Sequence, residues 1–223
     1  MIVDFHTHTY HSYDSLMQPT KILKLAYGRG LNAIVINDHN TIKGGVECKA
    51  KNPYKDMEVI IGAEIKTDIG DVTGIFLKEE ITAYKYSDVI TQIKLQGGIT
   101  ILNHPFVSHN LSEMNFDGID LIEGYNGRLN KLQNKKAVEL ALKLGKPLIS
   151  GSDAHVYDEV ARCKTHYDSP IDYLKPFSVE YIQCSVMSPI KSQLIKSYKT
   201  KDTALFLKVL LGSPKKIIKR IMQ

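Results

Sequence analysis

Cysteine is scarce in these 223 residues: Cys48, Cys163 and Cys184 are odd in number, widely spaced and form no C-x-x-C pair. That excludes a disulfide scaffold, and a reduced, cytoplasmic setting is the expectation. Long apolar runs are also missing. The longest, ALFLKVLL at 204–211, is far short of a bilayer span. No basic segment followed by an apolar stretch precedes the first charged motif at residue 4, so a cleaved signal peptide is not expected. Neither G-x-G-x-x-G nor a P-loop occurs, which removes the common Gly-rich nucleotide cradles. No G-x-S-x-G, and no cysteine beside the charged motifs, offers a protein nucleophile. Tryptophan is absent altogether.

What remains is an ordinary globular composition, 43% hydrophobic and 24% charged. It suffices for the core of one large domain, or of a domain with an appendage. The net charge of +5 is unevenly spread. Residues 191–223 hold nine Lys/Arg and one Asp, 9 − 1 = +8, whereas the remainder has 20 basic and 23 acidic residues, 20 − 23 = −3.

Short β-branched runs alternate with helical patterns and show no internal repeat. Strands are predicted at IVDFH, AIVIND (33–38), EVIIGAE (58–64), ITILNH (99–104), IDLIE (119–123) and KPLISG (146–151). Helices are predicted at 19–29, 84–96 and 129–144, and DIGDVTGIF (68–76) reads as a hairpin around Gly70-Asp71. Near-continuous apolar strands between helices indicate a mainly parallel α/β sheet.

The unusual residues sit at strand ends. DFHTHTYHSYD (4–14) opens the series, and period-two alternation puts Asp4, His6 and His8 on one face, with Val3 and Phe5 on the other. Later strands finish with Asp38 and His39, Glu64, His104, Glu123, and Asp153 with His155. One histidine at a strand end is usually structural; the same habit at six ends is not. In a (β/α) barrel that end assembles the active site. Ionisable groups this dense would repel and desolvate one another unless cations neutralised them, so a multinuclear metal centre is expected.

The set DFHTHT…D, NDHNT, GAE, NHP and GSDAH, in this order, resembles the PHP (polymerase and histidinol phosphatase) family over about residues 1–160. The resemblance implies a distorted (β/α)7 TIM-like barrel with two or three divalent ions and phosphoester hydrolysis. It implies that His6 and His8 hold one metal with Asp153, and that Glu64 bridges to a second held by His104. Asp14, His39 and His155 would hold a third. Several relatives have His where Asp14 stands. Glu123 occupies a place where other branches use histidine, and is taken as a ligand of the second metal, against the alternative that it supports His104 from behind. Asp71, where many relatives carry His, is left out of the metal set.

Mixed imidazole and carboxylate ligands suit Zn²⁺, Mn²⁺ or Fe²⁺ alike. Two ions sharing a carboxylate would provide a bridging hydroxide, giving His6, His8, Glu64 and Asp153 their catalytic part. Phosphate anchoring calls for cationic groups just after strand ends: Arg128 and Arg162 first, then His109. In the tail, GSPKKIIKRIMQ suggests Ser213 as an N-cap, Pro214 in the first turn, and Ile217, Ile218 and Ile221 on one face. A packed terminal helix is the expected role; the sharper alternatives are a weak anchor on anionic lipid or an arm for RNA.

The expected organisation is a PHP-type barrel over 1–177 and a C-terminal helical extension over 178–223, packed on the same domain. The expected function is metal-dependent hydrolysis of a phosphomonoester or terminal nucleotide phosphate, with a small phosphorylated substrate or nucleotide as partner and no obligate protein partner. The alternatives are a metal amidohydrolase acting on C–N bonds and a non-catalytic PHP module.

Overall fold

The β-branched runs form strands and the periodic stretches form helices in this computed structural model, which describes residues 1–168 and 172–221, the side chains beyond Gly212 excepted. In chain order the elements are β1 (Ile2–Asp4), α1 (Pro19–Gly28), β2 (Ala33–Ile36), α2 (Lys43–Lys51), β3 (Glu58–Lys66), β4 (Asp71–Ile75), α3 (Tyr86–Leu95) and β5 (Ile99–Leu102). They continue with β6 (Leu121–Asn126), α4 (Lys131–Leu144), β7 (Leu148–Gly151), β8 (Cys163–His166), β9 (Ser178–Tyr181), α5 (Met187–Thr200) and α6 (Thr203–Ile221).

Among the described residues the strands form one sheet in the order β7-β6-β5-β4-β3-β2-β1-β8-β9. The pairs β1–β2, β2–β3, β5–β6 and β6–β7 are parallel. The pairs β3–β4, β4–β5, β1–β8 and β8–β9 are antiparallel. The result is a nearly closed α/β barrel whose parallel order is interrupted on two sides. Closure is made by β7 and β8, where Ser150 N donates to Thr165 Oγ1 at 2.9 Å. At the mouth, Thr7 bridges Ala154 in parallel fashion. There His8 N donates to Ala154 O at 2.9 Å, and Ala154 N to His6 O at 3.1 Å.

Alternation sorts the apolar side chains. Val3, Phe5, Ala33, Val35, Ile60, Ile75, Ile101, Leu121 and Ile149 pack together as the barrel interior. Ile34 and Ile36 face the other way, onto Ile22, Leu23 and Ala26 of α1. Ile65 and Val72 meet Val89 and Ile93 of α3. Helix ends follow their local signals: α4 starts in a capping box of Asn130 and Gln133 and stops at left-handed Gly145.

The predicted hairpin is the β3–β4 pair, turned at Gly70 with φ 140°. Other elements had no counterpart in the periodic reading. Helix α2 begins on a Gly-Gly pair because a Cβ on Gly44 would run into Asp38 Oδ2 and Thr9 Oγ1. β8, β9 and α5 were likewise not foreseen. The helix start expected at Ser213-Pro214 needs correction: α6 runs from Thr203 through both residues. Its apolar spacing from Phe206 onward already suits a helix, so Pro214 falls inside it and forgoes one backbone bond. The cap and packing expected of the side chains from Ser213 onward lie outside the described residues. All three cysteines are free and buried. Among the described residues no helix is long and apolar enough to cross a membrane.

Candidate metal centre

Asp4 ties the end of β1 to the loop after β7. Its carboxylate accepts from His6 N at 3.2 Å, Ser152 N at 2.9 Å and Ala161 N at 2.9 Å. Complete burial nevertheless pushes its pKa up to about 6. With the backbone so fixed, His6 and His8 project from the strand end into the mouth.

Each imidazole has one nitrogen engaged and the other pointing into the cluster. His6 Nδ1 donates to Glu123 Oε1 at 2.9 Å. His8 Nδ1 lies 3.0 Å from Ser12 Oγ. Ser12 donates its own proton to Asp38 at 2.8 Å, so the histidine is the donor to it. With Nδ1 as donor, each Nε2 offers a lone pair when its ring is neutral, and both atoms are buried without a hydrogen-bond partner. They face the same two carboxylates: Glu64 Oε2 lies 3.5 Å from each. Asp153 Oδ1 is 3.7 Å from His6 Nε2 and 3.6 Å from His8 Nε2.

Glu64 occupies the centre. Its extended strand end bridges His39, whose Nδ1 is 3.1 Å from Glu64 Oε2. Its other oxygen receives His104 Nε2 at 2.8 Å. On the far side, Asp14 Oδ2 lies 3.3 Å from His39 Nε2 and 3.2 Å from His155 Nε2. Two of these residues have left-handed backbones, His104 with φ 28° and Asp153 with φ 53°. Such conformations cost a few kcal/mol each, about 1–3, and persist where the surroundings over-determine them.

Charge explains why the arrangement suits cations. Burial resists ionisation of Glu64, yet His39, His6 and His104 hold its pKa well below the usual value. Asp153 is held low in the same way by His6, His8 and His155. The imidazoles respond. Burial opposes charge on His6, but Asp153, Glu123 and Glu64 raise its pKa well above normal. His104 is raised to about 9 against burial, chiefly by its bond to Glu64. His8 is driven down to about 3 by burial and by His155 and His39. The carboxylates thus call for positive charge, and a divalent ion would supply it with the imidazoles neutral, the form that ligates. Three triads have ligand atoms within 4.8 Å of one another: His8–His39–His155, His6–His8–Glu64 and Glu64–Asp71–His104. The donor set fits divalent metal.

The remaining candidates divide. Glu123 is fully engaged, accepting from His6 Nδ1, from His104 N at 2.9 Å and from Asn126 Nδ2 at 2.9 Å. Arg128 is brought to the rim, its Nη1 2.8 Å from His155 Nδ1 and 4.0 Å from Asp153 Oδ1. Its Nε lies 3.3 Å from Glu159, and its Nη2 donates to Ser192 of α5. His109 packs edge-on against His104 with ring centres 5.7 Å apart. It also accepts from Asp71 N at 3.1 Å, bracing the β3–β4 turn. Arg162 is not drawn in: its Nε donates to Asp158 O at 2.7 Å in the preceding loop.

Sequence reasoning missed several contributors. Asp71 sits across the hairpin from Lys66 and joins the Glu64–His104 triad. Asn103 reaches Glu64 Oε1 at 3.4 Å, and Asn126 spans Glu123 and Asp153. Tyr13 stacks on His39 with ring centres 4.4 Å apart. Lys199 of α5 donates to the carbonyls of Tyr10 at 2.6 Å, Ser12 at 2.5 Å and Ser15 at 3.2 Å, pinning the loop that carries Asp14. Asp71 alone had a local signal, its turn beside a strand-end glutamate. A cavity of about 380 Å³ opens beside the cluster, lined by Tyr13, Lys66, Asp71, Tyr84, Ser108 and Asn110 among others.

Comparison with known proteins places this geometry. Residues 4–146 match the family model described as PHP domain, and residues 131–178 the one described as PHP-associated. An uncharacterized protein of Methanocaldococcus jannaschii is 34% identical over 158 residues, covering 62% of this chain and 92% of that protein. Among solved structures, a two-domain protein of Bacteroides vulgatus, described as containing a predicted PHP-like metal-dependent phosphoesterase, superposes with a TM-score of 0.61 at 22% identity. That match covers 74% of this chain and 58% of the other. An amidohydrolase of Chromobacterium violaceum gives a TM-score of 0.58 at 15% identity, over 75% of this chain and 92% of the other. At such identities these structures speak for the fold alone.

Proposed function

The chain belongs to the PHP family, and on that premise we propose that it is a metal-dependent phosphoesterase acting on a phosphomonoester or terminal nucleotide phosphate. The observation that carries this reading is the convergence of the two bare Nε2 atoms of His6 and His8 on Glu64 Oε2 and Asp153 Oδ1, all within 3.7 Å. His6, His8, Glu64 and Asp153 would hold the reactive ions. Asp14, His39, His104 and His155 would complete a set of two or three, with Zn²⁺, Mn²⁺ and Fe²⁺ all chemically suited. Bound divalent ions supply positive charge to phosphoryl oxygens and acidify water.

The chain's own residues do the positioning. Glu123 accepts the Nδ1 hydrogen bond of His6 and fixes its ring, a supporting role we favour over direct metal ligation. Asn126 and Asn103 steer Asp153 and Glu64. Arg128, bonded to His155 and Ser192 and ion-paired with Glu159, holds the Asp153–His155 segment rather than capturing phosphate itself. Lys66 at the cavity rim is better placed to meet a phosphorylated substrate; His109 lies beside His104 but has both ring nitrogens engaged, on Val107 O and Asp71 N, and Arg162 is more remote.

Metal-replete protein offered an aryl phosphate and an aryl amide tests the reading. Hydrolysis of the phosphate at least about a hundredfold faster than the amide is expected. Preference for the amide would replace phosphoester chemistry with C–N hydrolysis. Full metal occupancy with neither activity would indicate an interaction module.

A further inference from the structure

Helix α6 presents an apolar face that nothing among the described residues covers. Phe206 is 46% exposed, Leu207 56%, Leu210 50% and Leu211 79%. With 3.6 residues per turn these four fall within an arc of about 140°. The opposite side meets α5, where Val209 is buried and the left-handed Lys201 turns the chain back. Asp202 N closes that turn on Ser197 O at 2.9 Å. The exposed face is therefore the outer face of a seated helical pair and not a frayed end. In the sequence, the same spacing recurs at Ile217, Ile218 and Ile221.

Charge narrows what can cover it. Residues 203–223 contain Lys208, Lys215, Lys216, Lys219 and Arg220 and no Asp or Glu. Among the described side chains, Lys208 lies about 60° beyond the Leu211 edge of that arc. A second copy of the same segment would bring like charges together. A nucleic acid would meet the charge but not the leucines, and Phe206 is the last aromatic residue in the chain. An anionic bilayer surface meets both demands: acyl chains for the apolar arc and headgroups for the positive charge of the segment. With no membrane-crossing helix among the described residues, α6 can only lie along such a surface. We infer that α6 is an interfacial helix that docks the protein on anionic lipid, independently of the chemistry at the barrel mouth.

The protein provides its own reporter, because it has no tryptophan and Phe206→Trp introduces a unique one. Full-length F206W is titrated with vesicles of phosphatidylcholine, with and without phosphatidylglycerol, and read by blue shift and by flotation. Binding at least about tenfold tighter to the phosphatidylglycerol vesicles is expected, as is weakening at high salt, since flanking cations act through a screened surface potential. Adding Leu210→Glu and Leu211→Glu should cost a further tenfold or more. Circular dichroism and the unfolding temperature, unchanged, verify that the variant is folded. Equal affinity for neutral vesicles, or no binding to either, overturns the proposal. So does a concentration-dependent dimer, or capture of single-stranded RNA, that the double glutamate abolishes while vesicle binding is missing.

Discussion

At the barrel mouth His6, His8, Glu64 and His155 are almost wholly sealed from solvent, while on α6 Phe206, Leu207, Leu210 and Leu211 stand in it. One region buries the side chains that water solvates best, and the other exposes those it solvates worst. Each inversion costs free energy in the isolated protein, and each is relieved by something from outside the chain. The mouth answers to cations because Glu64 and Asp153 are buried as anions among imidazoles that ligate metal when neutral. The helix, on the inference above, answers to a surface, because among the described residues its apolar face has no interior to enter. Helix α5 joins the two, with Ser192 on Arg128 at one end and Lys199 on the β1–α1 loop at the other.

Breaking the mouth should have the largest effect. Glu64→Gln keeps size but loses the charge shared by His6, His8, His39 and His104, and kcat on a phosphomonoester should fall a hundredfold or more, about 2.7 kcal/mol. Metal analysis should show the same loss, whereas thermal stability in excess metal should barely move. A variant that keeps both metal and kcat would remove Glu64 from the mechanism. Next comes Glu123→Ala, which frees the His6 ring without touching the converging oxygens. A metal affinity weaker by about 10–100-fold is expected, with kcat at saturating metal largely retained. Loss of kcat at full occupancy would instead make Glu123 a direct participant.

Lys199→Met asks whether α5 belongs to the mouth. Releasing three carbonyls of the β1–α1 loop should cost on the order of tenfold in kcat, within the hundredfold that an ångström of misplacement can produce. Activity equal to the parent would make the contact purely structural. Smallest of all should be truncation after Gly212, which removes only the distal part of α6 and should leave kcat within a few fold. A hundredfold drop in a folded protein would place the tail in the site.

Legibility in the sequence followed sequence distance. The strand-end histidines and carboxylates were readable because alternation and strand position are local properties. His6 and His8 share a face for reasons visible within three residues. Lys199 gave no such signal: its partner Tyr10 lies 189 positions away, and a lysine near a helix end usually ends in water. Helix α2 was obscured by its two glycines, of which Gly44 admits Asp38 and Gly45 admits Ile61. Asp71 entered the cluster through the antiparallel β3–β4 pairing, which sets it beside a residue two places beyond Glu64. Glu123 was noticed, but strand position alone cannot say whether a carboxylate faces an ion or the back of its ligand.

The stitch between Thr7 and Ala154 has a consequence for the order of events during synthesis. His6 leaves the ribosome ahead of Glu123, which orients its ring and follows 117 positions later. At about 5–20 residues per second that interval is roughly 6–25 s, during which a nascent segment with three histidines and two aspartates is an unfinished chelator. An ion captured then would be held by a flexible peptide until β7 arrives and zips its end to β1. A metal finally resident there would thus be selected by the closed barrel and not by the first encounter.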